Sequence, residues 1–301
     1  MLPFQTILCA LDFEPGSARA LVQAADLAAR ARADLHLLHV SPRGQKEDRT
    51  DDGSSEAAFG RRVAAFVNEA LDRADAFDAL GPHVHRVQGA SPVAGILGYA
   101  RDIGADLVVV GTHGRRGLGH VLLGSVAGGT LRRSPVPVLV VPEQATGPGT
   151  DAPVVIAADV SDLSAPAARL GADLAEAVGA PLLLAHARAV PADHLVGISG
   201  HPVPEAPSSR TESHDALDAL AREAEIGAPY ERHVIPGEPR HVLVDLAART
   251  RARTLVVGTR GRGRFAGLGS VAEWVVRHAP CPVLVVPAAA SGSAASTARV
   301  A

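Results

Sequence analysis

An apolar run, Asp106 to Val110, leads into Gly111-Thr-His-Gly114, and nine residues later Gly124-Ser125 opens a helix-like stretch. Glycines permit positive φ and let a backbone approach a ligand closely. The N–H groups of Ser125 and Val126 would face an anion at a helix N-terminus. The Ser125 hydroxyl can cap that helix or donate to a phosphate. His113, Arg115, Arg116 and His120 add positive charge between the glycines. Together these residues read as a polyphosphate cradle built without lysine. Of the 29 basic residues only Lys46 is a lysine, and it sits in no G-x-x-x-x-G-K-[ST] pattern, so a P-loop is excluded. Schiff-base chemistry would rest on that one residue in a polar loop. Asp12, after the apolar run at 6–11, is a candidate acceptor for a ribose hydroxyl. A helix cap or a turn is the alternative role for it.

Such a cradle needs strands and helices to present it. Thr6–Leu11, Leu35–Val40, His83–Gln88, Asp106–Val110 and Val136–Val141 read as strands. Ser17–Ala33, Ala57–Leu80, a stretch opened by Pro92, and Ser125–Arg133 read as helices, and Ser41–Glu56 as a loop. Strands alternating with helices predict a parallel sheet with right-handed crossovers and helices on both faces. The whole order recurs from Val154 to Val286, with a longer loop at Arg188–Arg210. Asp12 and Asp159 are 147 residues apart, as are His39 and His186, Pro92 and Pro239, and Gly111 and Gly258. Ser125 and Ser270 are 145 apart, as are Pro142 and Pro287. The second copy has therefore lost two residues between Gly261 and Gly269. Two domains are expected, 1–146 and 151–288, joined near Thr146–Thr150, with 289–301 as an Ala/Ser-rich disordered tail.

Composition narrows the function classes. The chain has 301 residues, 47% apolar and 20% charged, with a net charge of −3. That balance argues against a general nucleic-acid or membrane-surface binder. No transmembrane run or secretory leader is readable. Two cysteines, Cys9 and Cys281, make no disulfide framework and suit a reducing cytoplasm.

The spacing Gly111-x2-Gly114-x9-Gly124-Ser125 matches the nucleotide-binding signature of the universal stress protein family. Asp12 after the first strand, His39-Val40 ending the second, and the final Pro-Val-Leu-Val-Val-Pro strand match as well. The chain resembles a tandem universal stress protein over nearly its whole length. That resemblance implies an α/β fold: two Rossmann-like (adenine nucleotide alpha hydrolase-like) domains, each a five-stranded parallel sheet. It implies ATP as ligand, with or without Mg²⁺. Ala10, Leu11 and Val40 would then line the adenine, and Asp12 would face the ribose. Gly111, Gly114, Gly124, Ser125 and Val126 would hold the phosphates. The counterparts are Asp159, Gly258, Gly261, Gly269 and Ser270, where the shorter loop would shift the helix start or narrow the pocket. Whether the second copy binds nucleotide, or a smaller anion, stays open. The Pro-flanked last strands of the two copies would pair within the chain, and a further homodimer is possible.

The expected protein is a cytoplasmic stress-response regulator that binds ATP at least in its first copy. An unidentified protein partner would read the loop 115–123 that the nucleotide orders. Little or no hydrolysis is expected, because no positioned base or Walker carboxylate can be named. The alternative is a nucleotide-free interaction scaffold of the same fold. Other chemistries fit poorly. Gly261-x-Gly263-x3-Gly267 has the wrong spacing and place for a dinucleotide fingerprint. His83 and His85 share a strand face, but no third metal ligand is identifiable, and His36 and His39 point to opposite faces. Cys9, Cys281 and Trp274 read as packing, and Arg132 and Arg133 as helix-end charges.

Overall fold

A computed structural model describes residues 4–42, 56–112, 123–145, 151–159, 164–188, 207–259 and 268–288. The chain divides into two compact units, Met1–Gly147 and Pro148–Ala301. Unit 1 runs β1 (Thr6–Ala10), α1 (Pro15–Ala31), β2 (Asp34–Pro42), α2 (Glu56–Ala70), α3 (Ala76–Leu80), β3 (His83–Gly89), α4 (Pro92–Asp102), β4 (Leu107–Gly111), α5 (Ser125–Arg133) and β5 (Val138–Val141). Unit 2 runs β6 (Val154–Ala157), α6 (Ala165–Val178), β7 (Leu182–Arg188), α7 (Pro207–Glu223), β8 (Glu231–Pro236), α8 (Pro239–Arg249), β9 (Thr254–Gly258), α9 (Ser270–His278) and β10 (Val283–Val286). The expected linker at 146–150 and tail at 289–301 lie outside the described residues, as does most of each loop after β2 and β7.

The five strands of unit 1 are ordered β3-β2-β1-β4-β5, and those of unit 2 β8-β7-β6-β9-β10. All described ladders within each unit are parallel. The chain steps one way from β1 to β3 and then the other way through β4 and β5. Right-handed crossovers therefore put α1 and α2 on one face and α4 and α5 on the other. Consistent with this, α1 packs with α2, and α4 with α5. The strand residues are short and branched because both faces are covered. Ile7, Leu8, Leu37, Leu38 and Leu107 are fully buried in unit 1, and Ile156, Leu184, Leu255 and Leu284 in unit 2.

Bounds differ from expectation by a residue or two in most elements, as in α1, which starts and ends two residues early, and β2, which runs on to Pro42. Helix α7 takes 207–210 out of the expected loop. Two further differences have a local cause. The helical stretch at 57–80 is broken: α2 stops at Ala70, Asp72 takes a left-handed φ of 50°, and α3 starts at Ala76. The Asn68 side-chain oxygen accepts from Phe77 N–H at 2.9 Å and stabilises the break. The last strand of unit 1 begins at Val138 instead of Val136, because Pro137 has no N–H for the ladder and the Ser134 hydroxyl takes the Val136 carbonyl at 2.7 Å.

Candidate functional site

The strand order reverses between β1 and β4, and ligands of open parallel sheets bind at such a switch, outside the carboxyl ends of the strands. One lip of this cleft is the turn after β1. Its backbone is pinned from β2: Leu11 N–H donates to Leu38 O at 2.8 Å, and His39 Nδ1–H donates to Leu11 O at 2.8 Å. A carbonyl only accepts, so Nδ1 of His39 carries the proton. Asp12 is half-buried, and its Oδ1 accepts from Glu14 N–H at 3.0 Å. No described residue donates to Oδ2. The turn reading of Asp12 is thus satisfied by one oxygen alone. Ser17, 3% exposed, donates its hydroxyl to Glu14 O at 3.0 Å and lies 3.4 Å from Asp12 N.

Between Asp12 and Glu14, Phe13 has φ 65°. A bulky residue in the left-handed region costs roughly 1–3 kcal/mol and persists only where its surroundings impose it. Here the surroundings are aromatic. The Phe13 ring lies 5.1 Å from His39, 6.3 Å from Phe59 and 5.4 Å from Phe66. The Arg62 guanidinium sits 3.9 Å above it. Sequence reasoning missed this cluster. The aromatic spacing Phe59-x6-Phe66 on one helix face was the available signal.

The other lip is the start of α5. Gly111 ends β4 against the first turn of α1, where a Cβ would lie 2.5 Å from Gly16 O. Only glycine fits, because the obstacle is backbone. Thr112 N–H donates to Val141 O at 3.0 Å, and Gly124 N–H returns to Thr112 O at 2.8 Å. Gly124 is the N-cap of α5, with no side-chain cap. The Ser125 hydroxyl therefore does not cap this helix; Ser125 is its exposed first residue. The first N–H groups of a helix have no partner within it, so those of Ser125 and Val126 remain available to an anion.

Of the residues expected at the adenine, Ala10 ends β1 half-buried. Leu11 is 4% exposed with both backbone groups bonded, so it shapes the turn and offers little surface. Val40 is half-buried and packs against α4, where a Cβ on Gly95 would come within 2.7 Å of its Cγ1. His113, Gly114, Arg115, Arg116 and His120 lie outside the described residues.

Unit 2 repeats the backbone scheme. His186 Nδ1–H donates to Ala158 O at 2.8 Å, and Gly269 N–H to Thr259 O at 2.9 Å. The second of these corrects one expectation: the shorter loop does not shift the start of α9 away from the end of β9. Its two missing residues fall between Gly261 and Gly269, and the flanking Gly269–Thr259 bond matches the Gly124–Thr112 bond of unit 1. Gly261, Arg260, Arg262 and Arg264 lie outside the described residues, whereas Gly258 ends β9 half-buried and Ser270 is the exposed first residue of α9. The carboxylates differ. Asp159 Oδ1 accepts from the hydroxyl of Ser164, itself 6% exposed, at 2.5 Å.

Elsewhere, the β2–β3 register sets His36 beside His83 and leaves it stacked on both His83 and His85, with ring centroids 4.6 and 5.5 Å apart. This third histidine was not identified from the sequence, since only the register places it. The rings are near parallel, at 27° and 14°, so their nitrogen lone pairs do not converge on one ion. No metal-binding group of three ligands occurs among the described residues. His36 Nδ1 lies 3.3 Å from the Tyr99 hydroxyl, on the face opposite His39. Trp274 packs as expected, stacked on His278 at 3.9 Å. Cys9 and Cys281 are buried and free, and burial pushes the Cys281 thiol up to about 12.

A sequence model described as the universal stress protein family matches residues 3–142 and 152–287. A universal stress protein of Mycobacterium tuberculosis is 35% identical over 189 residues, 60% of this chain and 61% of that protein, so the chain spans under two thirds of that relative's length. A crystal structure of a putative universal stress protein from Pseudomonas aeruginosa superimposes with a TM-score of 0.68 at 20% identity, covering 95% of this chain and 94% of that one. A universal stress protein crystallised in complex with cAMP is 31% identical over 46% of this chain and 97% of its own, with a TM-score of 0.35.

Proposed function

We propose a function from one premise: this chain belongs to the universal stress protein family. Unit 1 binds an adenine nucleotide, ATP with or without Mg²⁺, as a regulatory ligand that it hydrolyses slowly or not at all. The observation that carries this reading is the pair of lips at the β1/β4 switch. Asp12 stands on one with a carboxylate oxygen to offer ribose hydroxyls, and the uncapped N-terminus of α5 stands on the other. Ser125 and Val126 meet the phosphates through backbone N–H groups and the exposed hydroxyl. Gly111, Gly114, Gly124, His113 and Arg115 complete the phosphate site in this reading. Ala10, Leu11 and Val40 lie at the base. No described group is positioned to activate water on a phosphate, which favours binding over turnover.

Unit 2 favours a second reading. Asp159 Oδ1 accepts from Ser164 at 2.5 Å and its Oδ2 is buried, so this carboxylate offers less to an incoming ribose than that of Asp12. Unit 2 then serves chiefly as the half on which a protein partner docks, with Asp159, Gly258, Gly261, Gly269 and Ser270 forming at most a weaker site. Titration calorimetry of the full chain with Mg-ATP tests both readings. One site per chain is expected, and Gly124→Trp is expected to abolish it. Absence of heat and of thermal stabilisation at millimolar ATP would refute the first reading, and two equal sites the second.

A further inference from the structure

The turn that carries Asp12 is held in a conformation its own residues would not choose. The Asp12 Oδ1···Glu14 N–H bond spans a single residue, Phe13, so the backbone angles of Phe13 decide whether that N–H points at the carboxylate. Phe13 lies in the left-handed region, where a β-carbon and a large side chain are disfavoured. Its ring is enclosed by His39, Phe59 and Phe66, with the Arg62 guanidinium over one face. His39 acts twice, lying 5.1 Å from that ring and holding Leu11 O, the carbonyl just before Asp12. Asp12 is thus fixed from the strand side by His39 and from the helix side by the caged Phe13. Strain retained beside a functional carboxylate, and enforced by packing, is the mark of a preorganised group.

We infer that Phe13 is a positioning residue: locked by the α2 aromatic cage, it aims the Asp12 carboxylate and sets the preference of the unit 1 site for nucleotides bearing ribose hydroxyls. The inference rests on the reading that Asp12 accepts from those hydroxyls. The test measures Kd for ATP and for 2′,3′-dideoxy-ATP by calorimetry on the full chain. Wild type is expected to prefer ATP about tenfold, the worth of one hydrogen bond to a charged group. Phe13→Ala loses most of that preference while its affinity for the dideoxy nucleotide is unchanged, and Phe13→Tyr, which keeps the ring, retains it. Asp12→Asn combined with Phe13→Ala binds ATP no more weakly than Asp12→Asn alone, since both act through one carboxylate. Phe59→Ala thins the cage without touching the turn; it gives the same selective loss in smaller measure and stands in should Phe13→Ala not fold. Equal weakening of both nucleotides by Phe13→Ala, or additivity in the double variant, overturns the inference and leaves nucleotide binding intact. A wild type that binds neither nucleotide overturns the function proposed above and this inference with it.

Discussion

In unit 1 the carboxylate after the first strand accepts from a backbone N–H across a strained phenylalanine; in unit 2 its counterpart accepts from a buried serine hydroxyl. The backbone around them is nearly the same. A histidine on the neighbouring strand holds the preceding carbonyl at 2.8 Å in both, and a glycine N–H donates to a threonine carbonyl at 2.8 and 2.9 Å. Backbone bonds fix strand register and helix placement, so both copies of the duplication keep them. Which donor meets a carboxylate depends on single side chains and can differ without cost to the fold. The two units therefore share a scaffold and diverge in the groups that scaffold presents.

The largest expected effect tests how tightly unit 1 is built around its cleft. Gly111→Ala drives a Cβ into the Gly16 carbonyl, which is backbone and cannot turn aside. A cost of about 3 kcal/mol is expected, lowering the unit 1 melting transition by roughly 6–12 °C. Gly171→Ala in unit 2 meets the side chains of Ile156 and Val256 and no backbone, and is expected to cost less. Differential scanning calorimetry of both variants checks the difference. Equal shifts would mean that the close approach of β4 to α1 is not a special constraint.

A middle-sized effect separates binding from folding. Proline is welcome at the first position of a helix, where its missing N–H has no partner in any case. Gly124, at φ −54° and ψ 149°, already has the extended conformation that a residue before proline needs. Ser125→Pro therefore removes one phosphate donor and the hydroxyl while leaving α5 intact. ATP affinity is expected to fall about tenfold or more with little change in melting temperature. Ser270→Pro makes the same change after Gly269, at φ −65° and ψ 152°, and is expected to leave the measured affinity unchanged. If Ser270→Pro also weakens binding, the two units are functionally alike.

Much of this was legible in the sequence, for reasons that differ by residue. The start of α5 at Ser125 was readable because Gly124-Ser125 is a local signal, and the pairing of the copies because an offset needs no structure. The break at Asp72 was not, since the composition of 57–80 favours helix throughout and what opposes it is a set of turn contacts, the Asn68–Phe77 and Arg73–Asp75 bonds among them. Phe13 gave no sign of positive φ, because that angle is imposed by α2, which is remote in sequence. Asp12 and Asp159 look alike in sequence, and their difference lies in whether the nearby serine donates to a carbonyl or to the carboxylate.

The smallest expected effect sharpens the comparison at the other edge of each sheet. In unit 1, burial lowers the His36 pKa, and the neighbouring His83 and His85 lower it further against a smaller opposing pull from Asp34. Burial and His83 likewise lower His85, opposed by Glu56. Arg86, the next residue on β3, turns to the other face, over the Phe59 ring, while the Tyr99 hydroxyl from α4 faces His36. Both imidazoles resist protonation when folded but take protons freely when unfolded, near pH 6.5. Below that pH the unfolded chain binds protons that the folded unit refuses, so unit 1 is destabilised as pH falls through this window; well above it the histidines contribute nothing. Among the described residues unit 2 has no such cluster: its register sets Leu183 opposite Glu231, and His233 lies 3.3 Å from that carboxylate. Melting between pH 7.5 and 5.5 is therefore expected to lower the unit 1 transition more than that of unit 2. His36→Leu, the residue type unit 2 has there, is expected to narrow the gap. Parallel acid shifts in the two transitions, or a gap that His36→Leu leaves unchanged, would break the link between the histidine stack and the weaker edge of unit 1.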